Sequence, residues 1–564
     1  MLRRSWTIVL GTALALAGSG CTAKKDTATT TTAAAAALCA LSPAEFSSWK
    51  ATGGAPGFVA PNSAATNLNT SCGFFKWGSQ MFLWLTSQDA TGTMNLFSPT
   101  FYTAVESTET GKFDLVRNPG GTANALKSGK PATIAFRARV NKPVVLKTHT
   151  PAQLAAARAD PNNLNDSTGQ AGGGGVLVLN GAAVPMPGKA GYATYPVTYY
   201  TIQVNDVFAG LQANQASVPY YSPIGSPKAF PTTLDQATQI QTAAGTTYPD
   251  LDQLALEIKS SWVDTAYLTA QQVQGLITIQ GEVPAFTQGT GPGGVLTLAW
   301  DGTTTTTRTL ALVGVHVVGT VPGRPGMVWS TFESVFNTPD NTYSYINNNY
   351  NTQTNSCPSG SNCISTVQFS TSNNTPTIFY HGQAGTSTLP TSIVQTATSS
   401  DFNTAINSTT SALVATNVVR YNPWGNQQPA TPTVTDPVVQ NNTMLLSLMQ
   451  TLNPQLMTSG GAVLANYFQS ASIWSNNLIP NQAGAQEFGS LYAANTTMET
   501  FQQVSPYNSD PNATAKNCFS CHSIAAQGGI GTGVSHVFPN VATSTANAAK
   551  PTPTPAAKPT PATK

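Results

Sequence analysis

The sequence predicts a mainly β protein, with a large antiparallel β domain in one or two lobes followed by a small α-helical C-terminal segment. Between about residues 39 and 430, short runs of alternating apolar and polar residues are separated by Gly, Pro and Asn clusters. This pattern is typical of strands joined by turns. After a Pro-rich stretch near residue 430, apolar residues such as Leu445, Leu448 and Met449 recur at helical spacing.

Residues 1–21 predict a lipoprotein-type signal peptide. Arg3 and Arg4 precede a short apolar stretch, and small residues then lead to Cys21. The order resembles the bacterial signal in which the cysteine is lipidated, although Gly18 stands where that signal usually has Leu. We therefore expect export to the periplasm or cell surface, with a membrane anchor at Cys21. Cleavage by the ordinary signal peptidase, which would leave Cys21 unmodified, is the alternative.

Both ends of the mature chain have low-complexity composition. Residues 22–38 are rich in Thr and Ala and predict a flexible linker. Residues 546–564 contain Pro at short intervals among Thr and Lys, which predicts a disordered, extended tail.

Alternation predicts several strands within the β domain of residues 39–430. Two of them form a predicted hairpin over residues 295–321, with its turn at Asp301–Gly302. The second arm of this hairpin is apolar enough to be buried. The other predicted strands are residues 133–140, 174–181, 197–204 and 254–262.

Residues 431–545 form the predicted helical region. Its first helix covers residues 441–457, with Asn442 or Thr443 as the N-cap. Two further helices are expected over residues 460–474 and 487–503.

The composition argues against several classes of function. Only 9% of residues are charged and the net charge is +2, against roughly 25% charged residues in an average soluble protein. No basic run interleaved with aromatic residues is present, so nucleic acid is not an expected partner. No phosphate-binding loop, Ser-His-Asp order or paired-carboxylate pattern stands out.

Cysteine pairing is expected in an exported protein. Apart from Cys21 and two cysteines near the C-terminus, four cysteines remain. Bridges between nearest neighbours, Cys39 with Cys72 and Cys357 with Cys363, are the simplest of the arrangements that four cysteines allow.

The stretch "KNCFSCHSIAAQ" carries the strongest chemical signal. On a helix Cys518, Cys521 and His522 share one face. Two thiols there can add to the vinyl groups of a haem while the imidazole coordinates its iron. A zinc site would need a second pair of ligands, a thioredoxin-like dithiol would need a βαβ context, and a plain disulfide leaves His522 unexplained. The motif therefore predicts one covalent haem c.

The sixth iron ligand is less clearly indicated. No methionine follows His522; His536, after a Gly-rich loop, is the downstream candidate and Met498 the upstream one. An ordinary loop histidine, a buried helix contact and an open sixth position are the alternatives. His316, within a run of valines, is more typical of a core histidine than of a haem neighbour.

Several stretches together resemble large exported bacterial proteins of the cytochrome c family, in which a β-rich region precedes one C-terminal haem motif. They are "LEIKSSW", "LVGVHVVGTVPGRPGMVWSTFESVFN", "NTTMETFQQ" and "CFSCH" with "SHVF". The resemblance implies haem binding and electron transfer. The family's usual Glu-His pair is Glu333–Ser334 here, so no role of that histidine carries over.

Three functions are consistent with these features. The first is an exported, lipid-anchored monohaem cytochrome that relays single electrons to or from a redox partner protein or a small electron donor or acceptor. The second is a peroxidase-like haem oxidoreductase with an open sixth position, in which Glu333 or His316 acts as acid or base. The third is a surface-binding β protein with a structural or sensory haem.

Overall fold

The computed structural model describes most of residues 39–118 and 198–338, residues 437–450, most of 461–498, and residues 518–524 and 530–541, with short segments between 144 and 420. The predicted signal peptide with Cys21, the linker, the tail, and both Cys357 and Cys363 lie outside the described residues. So do the predicted strands at 133–140 and 174–181 and the proposed turn at Asp301–Gly302.

The described chain is mainly antiparallel β sheet with few helices, as the sequence predicts. Nine strands form one sheet. In sheet order these are Glu487–Gly489 (β16), Tyr467–Ser475 (β15), Arg324–Ser334 (β10), Thr305–Val321 (β9), Leu256–Asp264 (β5), Thr198–Asn205 (β4), Phe101–Glu106 (β1) and Phe113–Arg117 (β2), with Thr278–Pro284 (β6) beside the first half of β9.

Three small sheets accompany the large one. They comprise Val144–Val145 (β3) with Leu296–Ala299 (β8) and Thr287–Thr290 (β7), Tyr343–Ile346 (β11) with Ile364–Val367 (β12), and Val394–Thr396 (β13) with Thr416–Val418 (β14). The described helices are Pro43–Ser48 (α1), Ser71–Thr86 (α2), Asp206–Asn214 (α3), Leu234–Ala244 (α4), Ala270–Gln274 (α5), Pro437–Gln450 (α6), Gly461–Leu464 (α7) and Cys518–Cys521 (α8). None of these helices is both long and apolar enough to cross a membrane.

The strand predictions at 197–204 and 254–262 are confirmed by β4 and β5, and the apolar second arm of the proposed hairpin is the buried part of β9. The hairpin itself is wrong. β8 pairs with β7 and β3 in a separate sheet, whereas β6 lies beside the first half of β9. The two segments therefore belong to different sheets although they are close in sequence.

Of the three predicted C-terminal helices, only the first is present over most of its length. It is α6, and it begins at Pro437, so neither Asn442 nor Thr443 is its N-cap. The buried Asn442 side chain instead donates to the carbonyl oxygen of Gln469 at 2.6 Å and accepts from its N–H at 2.9 Å. Asn442 thus connects α6 to β15 and satisfies the backbone where β15 has an irregular register against β10.

The other two helix predictions are wrong. Within 461–474, only residues 461–464 are helical; a turn follows, and residues 467–474 belong to the fully buried strand β15. Residues 487–489 form the edge strand β16. Pairing with β10 overrides the local preference, because it satisfies the backbone of β15 and buries its side chains on both faces of the sheet.

Helix α2 covers the first face of the sheet, although no helix was expected there. Its aromatic side chains stack on the strands: Phe74 lies 4.1 Å from Trp474 and Phe82 lies 4.4 Å from Phe332, between ring centroids. Gly78 permits this close approach, because a Cβ atom there would lie 2.2 Å from Ser330 Oγ.

A disulfide joins Cys39 to Cys72 in the first turn of α2. The Cys39 N–H also donates to Gln440 of α6 at 2.7 Å. These two bonds tie the start of the described chain to both helices of the first face.

The second face of the sheet is covered by α3, α4 and the C-terminal segment, here defined as residues 530–541. Its core contains Val204, Val318, Trp329 and Ile473 from four strands of the sheet, β4, β9, β10 and β15. Phe208 of α3 packs there too.

Replacement of Gly78 by Ala should destabilise the fold by about 1–3 kcal/mol, because α2 cannot move away from Ser330 without disturbing the aromatic stacks. Gly73→Ala is the matched control in the same helix, since its Cβ would meet only the end of the flexible Leu68 side chain. Urea denaturation of both variants measures the difference. A Gly78→Ala protein as stable as Gly73→Ala would contradict this account of the packing.

Candidate functional site

The C-terminal segment is held on the second face by a ring of aromatic and backbone contacts. Phe538 lies 5.1 Å from Phe230 and 5.3 Å from Phe208, between ring centroids. The Thr532 N–H donates to the Lys228 carbonyl oxygen at 2.7 Å. The segment therefore has a fixed position on the sheet although it contains little regular structure.

The cysteine motif lies beside this segment. α8 is a single turn, and the His522 N–H donates to the Cys518 carbonyl oxygen at 2.8 Å, so His522 continues the turn. Phe519 is fully buried and makes an edge contact with Trp329 of β10, with ring centroids 6.4 Å apart. The local geometry agrees with the shared helical face predicted from spacing; the Cys521 side chain lies outside the described atoms.

The His522 ring is oriented by the chain around it. Its centroid lies 4.1 Å from that of Trp329, and Nδ1 lies 2.8 Å from the Val534 carbonyl oxygen. Because a carbonyl oxygen only accepts, Nδ1 carries the proton, and the neutral ring keeps its lone pair on Nε2. Histidines that bind metal in proteins are commonly fixed in this way through their other nitrogen.

The electrostatic surroundings of His522 favour the neutral ring. Burial of the ring is the largest cause that lowers its pKa well below the usual value, and nearby His536, Lys259 and His316 act in the same direction. The hydrogen bond to Val534 opposes them.

His536 lies against His522, but not in the position of an opposite iron ligand. The two rings are stacked 4.1 Å apart between centroids, with an angle of 19° between their planes. Two axial ligands face each other across a porphyrin, and a gap of this size cannot contain one. To act as the distal ligand, His536 would have to move away from His522.

The alternative ligand, Met498, is fully buried in the hydrophobic core that α2 forms with the first face of the sheet, together with Phe332 and Tyr200. Val534, which contacts His522, belongs to the core on the second face. The structure brings His522 and His536 together.

Three charged or titratable side chains of β5 and β9 lie on the same face as this site. Lys259 is opposite His316 in the strand register, and both act electrostatically on His522. Glu257 is two residues from Lys259 along β5. These residues come from strands far from the motif in sequence, so motif spacing could not identify them.

Glu257 is an unusual buried carboxyl group, only 8% exposed. It is hydrogen-bonded to Ser535 of the C-terminal segment, and among the described residues its Oε2 atom has no hydrogen-bond partner. Burial raises the pKa of Glu257 to about 7, and the bond to Ser535 and the charge of Lys259 only partly oppose this effect. Its alternation with Leu256 and Ile258 in "LEIK" was the one sequence signal that could have identified it.

Glu333, considered above as an acid or base, takes part in a buried ion pair. It is fully buried, lies 3.3 Å from the guanidinium of Arg420 and accepts from the Thr496 N–H at 3.0 Å. Arg420 also lies over the ring of Phe468. The Glu333 carboxylate thus links β10 to two other parts of the chain, through Arg420 and Thr496.

Replacement of Arg420 by Met should lower the free energy of unfolding by about 3–5 kcal/mol, because Glu333 would remain as a buried charge without its partner. The double variant Arg420→Met with Glu333→Gln should recover part of this loss. Chemical denaturation of the two single variants and the double variant measures the coupling. Purely additive losses would show that the two side chains do not act as a pair.

Glu257 should make the folded protein less stable as the pH rises from about 4.5 towards about 7, because the folded state holds the proton more tightly than the unfolded chain. One pKa unit corresponds to about 1.4 kcal/mol. Relative to the unsubstituted protein, Glu257→Gln should therefore have a free energy of unfolding that is up to about 3 kcal/mol more favourable at pH 8 than at pH 4. Urea denaturation at both pH values tests this, with the partly exposed Glu282→Gln as control; an equal effect of Glu257→Gln at both would contradict it.

Within the described part of the chain, no group of three or more His, Cys, Asp or Glu side chains is arranged to hold a metal ion. The chain matches no protein-family model, no curated protein and no solved structure.

Proposed function

We propose that this protein is an exported monohaem c-type cytochrome that relays single electrons. One haem would be bound covalently through Cys518 and Cys521, with His522 as the proximal iron ligand. The observation that carries the proposal is the hydrogen bond from His522 Nδ1 to the Val534 carbonyl oxygen, at 2.8 Å, within a Cys-x-x-Cys-His turn. It leaves Nε2 as the nitrogen available to a metal.

The surrounding residues are suited to this role. When bound, the haem supplies a reversible one-electron change at its iron. Trp329 lies against the His522 ring, and the buried Phe519 packs edge-on against Trp329, so the site has an apolar aromatic wall. Burial of this kind is one of the means by which a protein sets a haem reduction potential. The C-terminal segment, fixed by Phe538, holds the Val534 carbonyl in place.

Export, a lipid anchor at Cys21 and a redox partner complete the proposal. The partner would be a protein or a small electron donor or acceptor. With a net charge of +2, the chain has little long-range field with which to steer such a partner, so docking would depend on shape and short-range polar contacts.

One observation favours a second function, that of a haem oxidoreductase with an open sixth position. His536 is stacked directly on His522, so a haem held by His522 would not be coordinated by His536 in this arrangement. Of the two acid–base candidates, Glu333 is held by Arg420 and is not suited to this role. His316 remains, on the face that carries the site.

The test is expression with the c-type maturation machinery, followed by a pyridine haemochrome assay on the denatured protein. We expect one covalent haem per chain, and its loss in Cys518→Ala with Cys521→Ala. His536→Gln is the matched control, because it changes a neighbour of His522 and leaves the attachment residues intact; it should keep the covalent haem. Absence of haem from the unsubstituted protein, in cells that mature another c-type cytochrome, would refute the proposal.

The same preparation separates the two functions. A low-spin reduced spectrum that carbon monoxide does not change indicates two filled axial positions and electron relay. A high-spin spectrum that changes with carbon monoxide indicates the oxidoreductase.

A further inference from the structure

We propose that Glu257 is a redox-linked proton site: its carboxylate takes up one proton when the iron held by His522 gains an electron, and releases it on oxidation. This inference rests on the proposed function above. It would make the protein a carrier of a proton together with each electron.

Glu257 occupies an apolar position in the sheet. It lies on β5 between Val204 of β4 and Val318 of β9, both in register with it and both buried. A carboxylate in such apolar surroundings has lost most of its hydration, which disfavours the charged form.

The hydrogen bonding of Glu257 leaves one oxygen ready for a proton. Ser535 Oγ accepts from the Val537 N–H at 3.1 Å and the Phe538 N–H at 3.0 Å, so its own proton is donated to Glu257. Oε2 has no hydrogen-bond partner among the described residues. The charged form is therefore supported by a single hydroxyl donor, and protonation of Oε2 displaces no existing bond.

Glu257 and His522 are connected through Ser535 and His536, and they share a charged neighbour. Ser535, which holds the carboxyl group, directly precedes His536, and that ring is stacked on His522. Lys259 acts electrostatically on both Glu257 and His522. The titratable groups near the carboxyl are thus Lys259 on its own strand, His316 on β9, and the two histidines.

The nearby charge of Lys259 does not by itself keep Glu257 in its charged form. The pKa of Glu257 is near 7, so the carboxyl group is close to half-protonated at neutral pH. A change of one charge at the iron would therefore shift its protonation. A group poised in this way responds most strongly to a nearby change in charge.

The step balances in charge and atoms. With a haem held by His522, one electron from the redox partner would reduce its iron, and one proton from solvent would form the O–H bond of the Glu257 carboxylic acid. The reverse occurs when the electron leaves. Because the two bindings are linked, the proton must raise the affinity for the electron as much as the electron raises that for the proton.

The experiment is potentiometric titration of the purified holoprotein between pH 5 and 9. The midpoint potential of the unsubstituted protein should fall as the pH rises through about 7. Each tenfold drop in proton activity lowers the equilibrium constant at most tenfold, or about 59 mV for a one-electron couple. Glu257→Gln, which keeps an acceptor for Ser535, should have a pH-independent potential in this range. Glu282→Gln, on β6, should keep the pH dependence.

Haem content is measured first on the same samples. Absence of covalent haem refutes the proposed function, whereas one haem per chain with a pH-independent potential in the unsubstituted protein refutes this inference alone. A pH dependence that persists unchanged in Glu257→Gln assigns the proton to another group and equally overturns it.

If Glu257→Gln fails to fold, the infrared difference spectrum of the unsubstituted holoprotein, reduced minus oxidised, replaces it. We expect the C=O band of a protonated carboxyl group, sensitive to D2O, to appear on reduction near pH 7. Its absence would contradict the proposal.

Discussion

The rest of the structure depends on the burial of β9 on both faces. Residues 310–321 of this strand are almost fully enclosed, with Val315 and Val317 facing one core cluster and Val318 facing the other. A strand this apolar needs a layer on each side, so the sheet requires α2 on its first face and the C-terminal segment on its second. The position of the cysteine motif follows from that need for cover.

Much of the central sheet could be predicted from the sequence, because β4, β5 and β9 have local patterns that agree with their tertiary surroundings. The errors occur where the two disagree. Residues 467–475 contain an apolar pattern compatible with a helix, and only their pairing with β10, more than a hundred residues away, makes them a strand. The helix α2 was missed because its two glycines, one of which the tight contact with the sheet requires, and its many aromatic residues weaken a helical pattern.

The candidate site divides in the same way. The shared turn of Cys518 and His522 follows from spacing alone, because it is a local property. Trp329, Glu257 and the stacking of His536 depend on which strands are neighbours and on how a loop crosses them, and no local pattern contains that information. The site is thus a short predictable motif placed in an environment that only the folded sheet defines.

The pairing of β15 with β10 also has a consequence for the order of folding. Val328 is paired with Trp474, so one edge of β10 has no partner strand until β15, Tyr467–Ser475, has been synthesised. Sheets with such distant partners fold slowly, since a long loop must close before the contacts form. The Cys-x-x-Cys-His turn follows β15 in the chain and packs on Trp329 of that same late-completed region. The second face can therefore be completed only after both β15 and the C-terminal segment have been synthesised, so the last part of the chain closes the fold.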